Sequence, residues 1–337
     1  MSQEMKHTKA DLTQMQSLPI EAKIVMTQRR IREWYEYWGG QVYVSFSGGK
    51  DSTVLLHLVR EMYPNVEAVY VDTGLEYPEI RHFVKTFDNV TILHPKMRFD
   101  EVIKKYGYPI ISKEVSKSIY EARKNPTAKV NMKFDRNSEY CKKYDTRFCF
   151  EKWKPLRDSN IKISHMCCKV MKKDPSKRYE KQTGKKPILA TMASESALRK
   201  TQWMKNGCNA FDAKRKTSQP MSFWTEQDVL QYIKQNNLPI ATVYGDIVPC
   251  NKKGDKFCTT GCRGTGCVFC AFGCHREKEP SRFQRLKETH PRQYEYCIEG
   301  GEYDENGIWI PNKQGLGMGH VFDEINKIYG EGFIKYK

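Results

Sequence analysis

The stretch Val42-Tyr43-Val44-Ser45-Phe46-Ser47-Gly48-Gly49-Lys50-Asp51-Ser52 constrains this chain more than any other part of it. An apolar, β-branched run enters a Gly-Gly turn. An amphipathic run follows, with Val54, Leu55, Leu56, Leu58 and Val59 on or near one face. That order predicts a strand, a phosphate-cradling loop and a helix. Two glycines let the backbone turn tightly and bring its N–H groups close to an anion. The helix start adds unpaired N–H groups and the positive end of a dipole. Lys50 supplies a point charge, and Ser47 and Ser52 supply hydroxyl donors. The spacing is not G-x-x-x-x-G-K-[ST], so this is not a Walker A loop. A plain glycine turn is the competing account, and it leaves six specific residues unexplained.

The surrounding pattern predicts an α/β fold built on a doubly wound, mostly parallel, Rossmann-like sheet. A helix is expected over Ile20–Trp38, stopped by Gly39-Gly40, whereas residues 1–18 read as loose. Val66–Val71 is a second buried strand ending in Asp72-Thr73-Gly74. Ligands of doubly wound sheets sit outside the carboxyl ends of the strands. Asp72 is therefore expected beside the loop, where it could hold Mg²⁺ or a ribose hydroxyl; a turn or cap role is the alternative. Pro78–Phe87 and Phe99–Tyr106 read as helices, Val90–Leu93 and Pro187–Thr191 as strands. A helix should open at Trp224-Thr225, with Thr225 as N-cap and Asp228 as its capping-box partner. One short helix near Arg282–Tyr296 and another at His320–Tyr329 complete the chain. Three stretches follow: an N-terminal helical extension (1–40), a nucleotide-binding α/β domain with an insertion (41–250, insertion about 113–160), and a Cys-rich, helical C-terminal region (251–337).

Charge narrows the class of partner. The 337 residues carry 57 Lys and Arg against 40 Asp and Glu, a net charge of +17, which favours a polyanion such as DNA or tRNA. Lys117, Arg123, Lys124, Lys129, Lys133, Arg136, Lys142 and Lys143 of the insertion alternate with Tyr120, Phe134, Tyr140, Tyr144, Phe148, Phe150 and Trp153. Such a mixture suits a groove where bases stack and phosphates pair, and it equally suits a solvated helical insertion. No apolar run is long enough to cross a membrane, and Met1–Gln16 has no apolar signal core, so a cytoplasmic protein is expected.

Twelve cysteines in a reducing compartment do not read as a disulfide framework. Cys258, Cys262, Cys267, Cys270 and Cys274 lie close together in sequence, a density that suggests metal. The adjacent Cys167 and Cys168 and the C-x-x-C pair Cys267 and Cys270 offer four soft ligands, which suit Zn²⁺ or an iron–sulfur cluster. Neighbouring cysteines fan apart and favour the wider cluster.

Ser-Gly-Gly-Lys-Asp-Ser resembles the pyrophosphate loop of the ATP pyrophosphatases. The strand end Asp72-Thr73-Gly74 with Pro78-Glu79, the Cys-Cys pair, Glu195-Ser196-x-x-Arg199, the Trp224-Thr225 helix and C-x-x-C follow in that order. Over roughly residues 40–275 the chain resembles the phosphoadenosine phosphosulfate reductase family, within the adenine nucleotide α-hydrolase-like fold. The resemblance implies ATP contacts from Ser45, Ser47, Gly48, Gly49, Lys50, Asp51, Ser52 and Asp72, with Thr73 and Gly74, and a [4Fe-4S] cluster on Cys167, Cys168, Cys267 and Cys270. Two departures stand out. Nothing in the sequence matches the Glu-Cys-Gly-x-His motif of the sulfonucleotide reductases; Cys297 is the nearest thiol, in the wrong context. The intact loop is also more like that of the ATP-using members, which include DNA phosphorothioation sulfurtransferases.

The expected activity is therefore that of an ATP-dependent adenylating sulfurtransferase that modifies nucleic acid. Lys50 and the loop would hold the phosphates, Asp51 or Asp72 the Mg²⁺, and Arg199 further phosphate charge. Sulfur would come from the cluster or from a thiolate such as Cys262 or Cys274, reloaded by a cysteine desulfurase or other donor. Two other readings compete: a reductase of adenylyl sulfate or phosphoadenylyl sulfate releasing sulfite, and a zinc-containing nucleic-acid-binding module.

Overall fold

The computed structural model describes residues 5–144 and 149–337; Phe148 of the insertion and residues 1–4 of the N-terminal stretch lie outside them. The described chain divides into two compact units. One comprises residues 1–72, 76–94 and 175–266, the other 73–75, 95–174 and 267–337. These boundaries differ from the three stretches drawn from the sequence. The N-terminal extension joins the first unit, and the insertion clusters with the C-terminal region.

The first unit is built on a six-stranded sheet, in the order Val90–Leu93, Ala68–Val71, Val42–Ser45, Lys186–Ile188, Thr217–Ser218 and Asn209–Ala210. All neighbours pair in parallel except the last two strands. The α/β fold expected from the strand–helix alternation is thus present. Val42 and Val44 on one face of their strand and Tyr43 on the other are all buried, as a central parallel strand requires. In the helix Lys50–Met62, Val54, Leu55, Leu56, Leu58 and Val59 are all buried in the main core. The helix Glu226–Gln235 starts at Thr225 with the expected capping box to Asp228.

Two expectations fail for identifiable reasons. Residues 5–18 are not loose: a helix spans Lys9–Gln16, capped by Thr8 and Asp11, with Leu12 buried. The sequence Thr8-x-x-Asp11 was itself a capping signal. His7 further anchors this segment by stacking on Trp203 at 4.7 Å. The region 282–296 is two helices, Arg282–Thr289 and Pro291–Ile298, because Pro291 has no N–H to continue the first and starts the second.

The second unit is mostly helical. Its parallel pair joins Ile110–Ile111 to Ala271–Phe272, which brings the C-x-x-C segment to the start of the insertion. The insertion holds the helix Lys113–Lys124 and several shorter turns. Phe134, Phe150 and Trp153 are buried, so these rings build a small core and offer no stacking platform. Arg123 is spent internally, donating to the carbonyls of Leu156, Arg157, Ser159 and Ile161. Lys142, Lys143 and Tyr144 remain exposed.

Lys23 is almost fully buried, and its ammonium donates to both carboxylate oxygens of Asp228 at 2.7 and 2.8 Å and to Gln16 O at 2.8 Å. Removing one partner of a buried pair strands the other charge. Lys23→Met is expected to lower stability by about 3 kcal/mol, read as a urea midpoint shift at unchanged m-value.

Candidate functional site

The strand Val42–Ser45 delivers buried Phe46, whose N–H bonds Val69 O at 2.9 Å, and the chain then turns at Ser47-Gly48-Gly49 into the helix Lys50–Met62. Gly48 has φ +71°, and a Cβ there would stand 2.7 Å from Val84 Cγ2 and 2.9 Å from Ile80 Cγ2. Both the backbone angle and the space demand glycine. Ser52 Oγ donates to Gly49 O at 2.9 Å and accepts from Ser47 N at 3.2 Å. With its one proton committed, Ser52 must accept from Ser47 Oγ across their 3.0 Å contact. These two hydroxyls therefore brace the loop, where the sequence had suggested donors to a phosphate.

The loop borders a cavity of about 660 Å³ lined by Ser47, Lys50, Asp51, Glu195, Glu226 and the segment Arg263–Gly266, among others. Lys50 is buried, and its ammonium donates to Arg263 O at 2.7 Å and lies 3.4 Å from Glu226 Oε1. Glu226 Oε2 accepts from Arg263 at 2.6 and 2.9 Å. Burial pushes the Glu226 carboxyl up, but the Arg263 hydrogen bond and the Lys50 and Arg263 charges outweigh it and hold it below the usual range. Tyr244 is buried against the helix start, accepting from Lys50 N at 3.3 Å and bonding Thr265 Oγ1 at 2.7 Å.

Asp51 is the electrostatic anomaly of the cavity. Its Oδ1 is buried and has no hydrogen-bond partner among the described residues. Burial raises its carboxyl above the ordinary range and Glu226 adds to this, while Lys50 and Arg199 work against it. A buried carboxylate oxygen without a donor fits a cation-binding role.

Other residues singled out in the sequence sit elsewhere. Asp72 does not line the cavity; its Oδ2 accepts from Arg81 at 2.8 and 3.2 Å. Ser45 is half-buried at the strand end, and Gly48, within the loop, is buried and does not line the cavity. Thr73 and Gly74 belong to the second unit, where Thr73 Oγ1 accepts from Leu75 N at 3.2 Å. Arg199 pairs with Glu195, whose other tie is to Met192 N at 2.7 Å. Cys262 is half-buried and directly precedes Arg263 of the lining. Sequence reasoning missed Glu226, Tyr244 and Arg263–Gly266; the run Arg263-Gly264-Thr265-Gly266 was a glycine-rich signal hidden among cysteines.

Cys167, Cys168, Cys267 and Cys270 all belong to the second unit. The Cys167 and Cys168 sulfurs are 3.9 Å apart. Cys167 donates to Cys168, which raises Cys167 and lowers Cys168, and Lys113, Lys172 and Lys173 lower Cys168 further. Cys167 also feels the charges of Cys270 and Cys267. Cys270 is raised by burial, partly offset by Arg282, which also donates to Cys270 O at 2.7 Å. Among the described residues, no three His, Cys, Asp or Glu side chains converge on a single-ion site. Four thiols with Lys113, Lys172, Lys173 and Arg282 nearby are a donor set that would suit the anionic charge of an iron–sulfur cluster. Cys274 does not fit the nucleophile role suggested by the sequence. It is buried, donates to Ala271 O at 3.0 Å, and burial pushes its thiol up to about 12.

The family model for the phosphoadenosine phosphosulfate reductase domain matches residues 41–109 and 99–272. An uncharacterized protein of Methanocaldococcus jannaschii, MJ0973, is 26% identical over 294 residues, covering 83% of this chain and 54% of that protein. The chain thus spans about half the length of this archaeal relative. The adenosine 5'-phosphosulfate reductase of Oceanobacillus iheyensis is 23% identical over 227 residues, covering 65% of this chain and 73% of the enzyme. Two solved structures are similar at low TM-score. The phosphoadenylyl-sulfate reductase of Candida auris gives 0.37 at 14% identity, covering 71% of this chain and 92% of its own. The FMN adenylyltransferase of Candida glabrata with ATP gives 0.38 at 11% identity, covering 97% and 90%.

Because burial raises Asp51 above its unfolded value, its ionised form costs stability once pH rises through the folded pKa. Asp51→Asn is expected to raise the melting temperature of the ligand-free protein at pH 7, the gain fading towards about pH 3 where the carboxyl is neutral in both states. Calorimetric scans across that pH range check it.

Proposed function

We infer that this chain, which belongs to the phosphoadenosine phosphosulfate reductase domain family, is an ATP-dependent adenylating sulfurtransferase that carries an iron–sulfur cluster and modifies nucleic acid. The observation that carries the reading is the cavity at the intact Ser-Gly-Gly-Lys-Asp-Ser loop. There Lys50, a helix N-terminus and an unpaired, buried Asp51 oxygen face one space.

In this reading ATP lays its phosphates on the Gly49 and Lys50 end of the helix, where backbone N–H groups and the Lys50 and Arg263 charges meet them. An acceptor oxygen attacks the α-phosphorus; the bond to pyrophosphate breaks and its electron pair leaves with that group. The adenylated acceptor then loses AMP to a sulfur nucleophile. Asp51 would hold Mg²⁺, which offsets phosphate charge; Asp72, occupied by Arg81, is the poorer candidate. Cys262, next to Arg263 of the lining, would carry the sulfur as a persulfide loaded by an external persulfide donor; its outer sulfur would displace AMP from the acceptor, and an external dithiol would reduce the disulfide so formed, releasing the thiolated acceptor. Cys167, Cys168, Cys267 and Cys270 would hold a [4Fe-4S] cluster, which supplies redox or sulfur-carrying chemistry. The net charge of +17 and the exposed lysines of the insertion support a polyanionic acceptor, DNA or tRNA. No helix of the described residues is long and apolar enough to cross a membrane.

One observation favours a second reading. Relatives in Oceanobacillus, Staphylococcus and Lysinibacillus are named adenosine 5'-phosphosulfate reductase. A thiol of this chain would then attack the sulfur of adenylyl sulfate and expel AMP, with sulfite released after reduction by an external dithiol.

Anaerobically purified protein incubated with ATP and either DNA or tRNA should release pyrophosphate and AMP faster than with ATP alone. Lys50→Met should cut that rate by about 100-fold or more. Sulfite from adenylyl sulfate, without pyrophosphate from ATP, would establish the reductase instead. Cys168→Ser should lose the brown absorbance and most of the bound iron, and zinc in place of iron in the unaltered protein would count against the cluster.

A further inference from the structure

Glu226 occupies a place where a phosphate cradle gains nothing from negative charge. Its Oε1 lies 3.4 Å from Lys50 Nζ and its Oε2 accepts two hydrogen bonds from Arg263. One carboxylate thus engages both cations that line the cavity. The third nearby cation, Arg199, is taken by Glu195. In and beside the cavity, Lys50, Arg199 and Arg263 are matched by Asp51, Glu195 and Glu226, so the cradle has no net positive charge to offer a bare anion.

An incoming anion then has two routes. It can displace Glu226 from Lys50 and Arg263, leaving that carboxylate half-buried beside Asp51, which already feels it as a like charge. Or it can arrive with a divalent cation, so that the carboxylates gain a partner as the ammonium and guanidinium turn to the phosphates. The second route avoids stranding a charge in a partly desolvated site. The unpartnered Asp51 Oδ1 is a ready ligand for such a cation.

We propose that Glu226 is a specificity-determining residue that makes the cradle favour magnesium-bound polyphosphate over metal-free anions such as adenylyl sulfate. It acts by repulsion as much as attraction, as selective sites commonly do. The inference rests on the reading of this cavity as the nucleotide site and adds the reason it would take ATP with its metal.

Titration calorimetry with three probes tests it: ATP with Mg²⁺, ATP with EDTA, and adenylyl sulfate. The unaltered protein should bind the first most tightly. Glu226→Gln should tighten the two metal-free probes by about tenfold, roughly a third of the near-surface Coulomb energy of one unit charge at 4 Å, and narrow or reverse the preference for the magnesium complex. Glu226→Asp should restore the original order, which a loss of packing would not. Arg263→Gln should weaken all three, and keeps the test alive if Glu226→Gln fails to fold. Binding with a preference unchanged by Glu226→Gln overturns this inference alone. Failure of all three probes to bind overturns it together with the nucleotide site.

Discussion

The buried ammonium of Lys50 is the constraint from which the first unit is arranged. An unpaired charge in a protein interior costs several kcal/mol, so it must be met by hydrogen bonds and countercharge. Here the partners are Glu226 and the Arg263 carbonyl, with Tyr244 bonding the backbone of the same residue. None is a neighbour in sequence. Glu226 is placed by a helix whose first turn is fixed twice. Thr225 and Asp228 cap it, and Asp228 is itself tied to buried Lys23 of the helix Ile20–Tyr37. Two lysines, one held by Glu226 and the other by Asp228 of a single helical turn, thereby connect the N-terminal stretch to the phosphate loop.

The cysteines divide by unit, and burial separates their chemistry further. Cys297 is fully enclosed and its thiol is raised by burial alone. Cys274 is enclosed beside Cys270. Cys168, with Cys167 donating to it and three lysines nearby, is the thiol driven towards thiolate. Metal ligation and nucleophilic attack both need the thiolate. Cationic surroundings rather than cysteine density therefore mark the useful positions, and density alone made Cys274 look like a nucleophile.

Local signals explain what was legible in the sequence. The strand–loop–helix at 42–62, the alternation up to residue 106 and the Thr225 cap are written in contiguous residues, and the structure follows them. The helix at 9–16 was equally local, in Thr8 and Asp11, but its polar composition concealed the single buried Leu12. The cavity was half legible. Its floor is one motif, whereas its walls come from residues near 195, 226, 244 and 263, brought together by packing that no period reveals. Asp72 shows the converse error. A strand-end carboxylate is well placed by topology, but an arginine one helix further on can claim it, and Arg81 does. Phe134, Phe150 and Trp153 of the insertion are buried, yet its cations stay with the rings: Lys133 Nζ stands 5.2 Å from the Phe150 ring centre and Lys152 Nζ 5.1 Å from that of Trp153.

The two enzymatic readings differ in where bonds break, yet they converge on the same thiol. Adenylation breaks the α–β phosphate link, then asks for a sulfur nucleophile. Reduction of adenylyl sulfate asks for that nucleophile at once. Within the loop's own unit, Cys208 is locked in the core, and Cys250 and Cys258 lie on the Ile247–Pro249 and Phe257–Thr259 hairpin. Cys262 precedes Arg263, its N–H is fixed to Val243 O at 2.9 Å, and its charge would be felt by Tyr244. In either reading, a thiol in that position would be the nucleophile. The choice between them would then fall to the charges around Lys50: a leaving pyrophosphate carries more negative charge than a leaving AMP, and would call for a metal that Asp51 and Glu226 would hold.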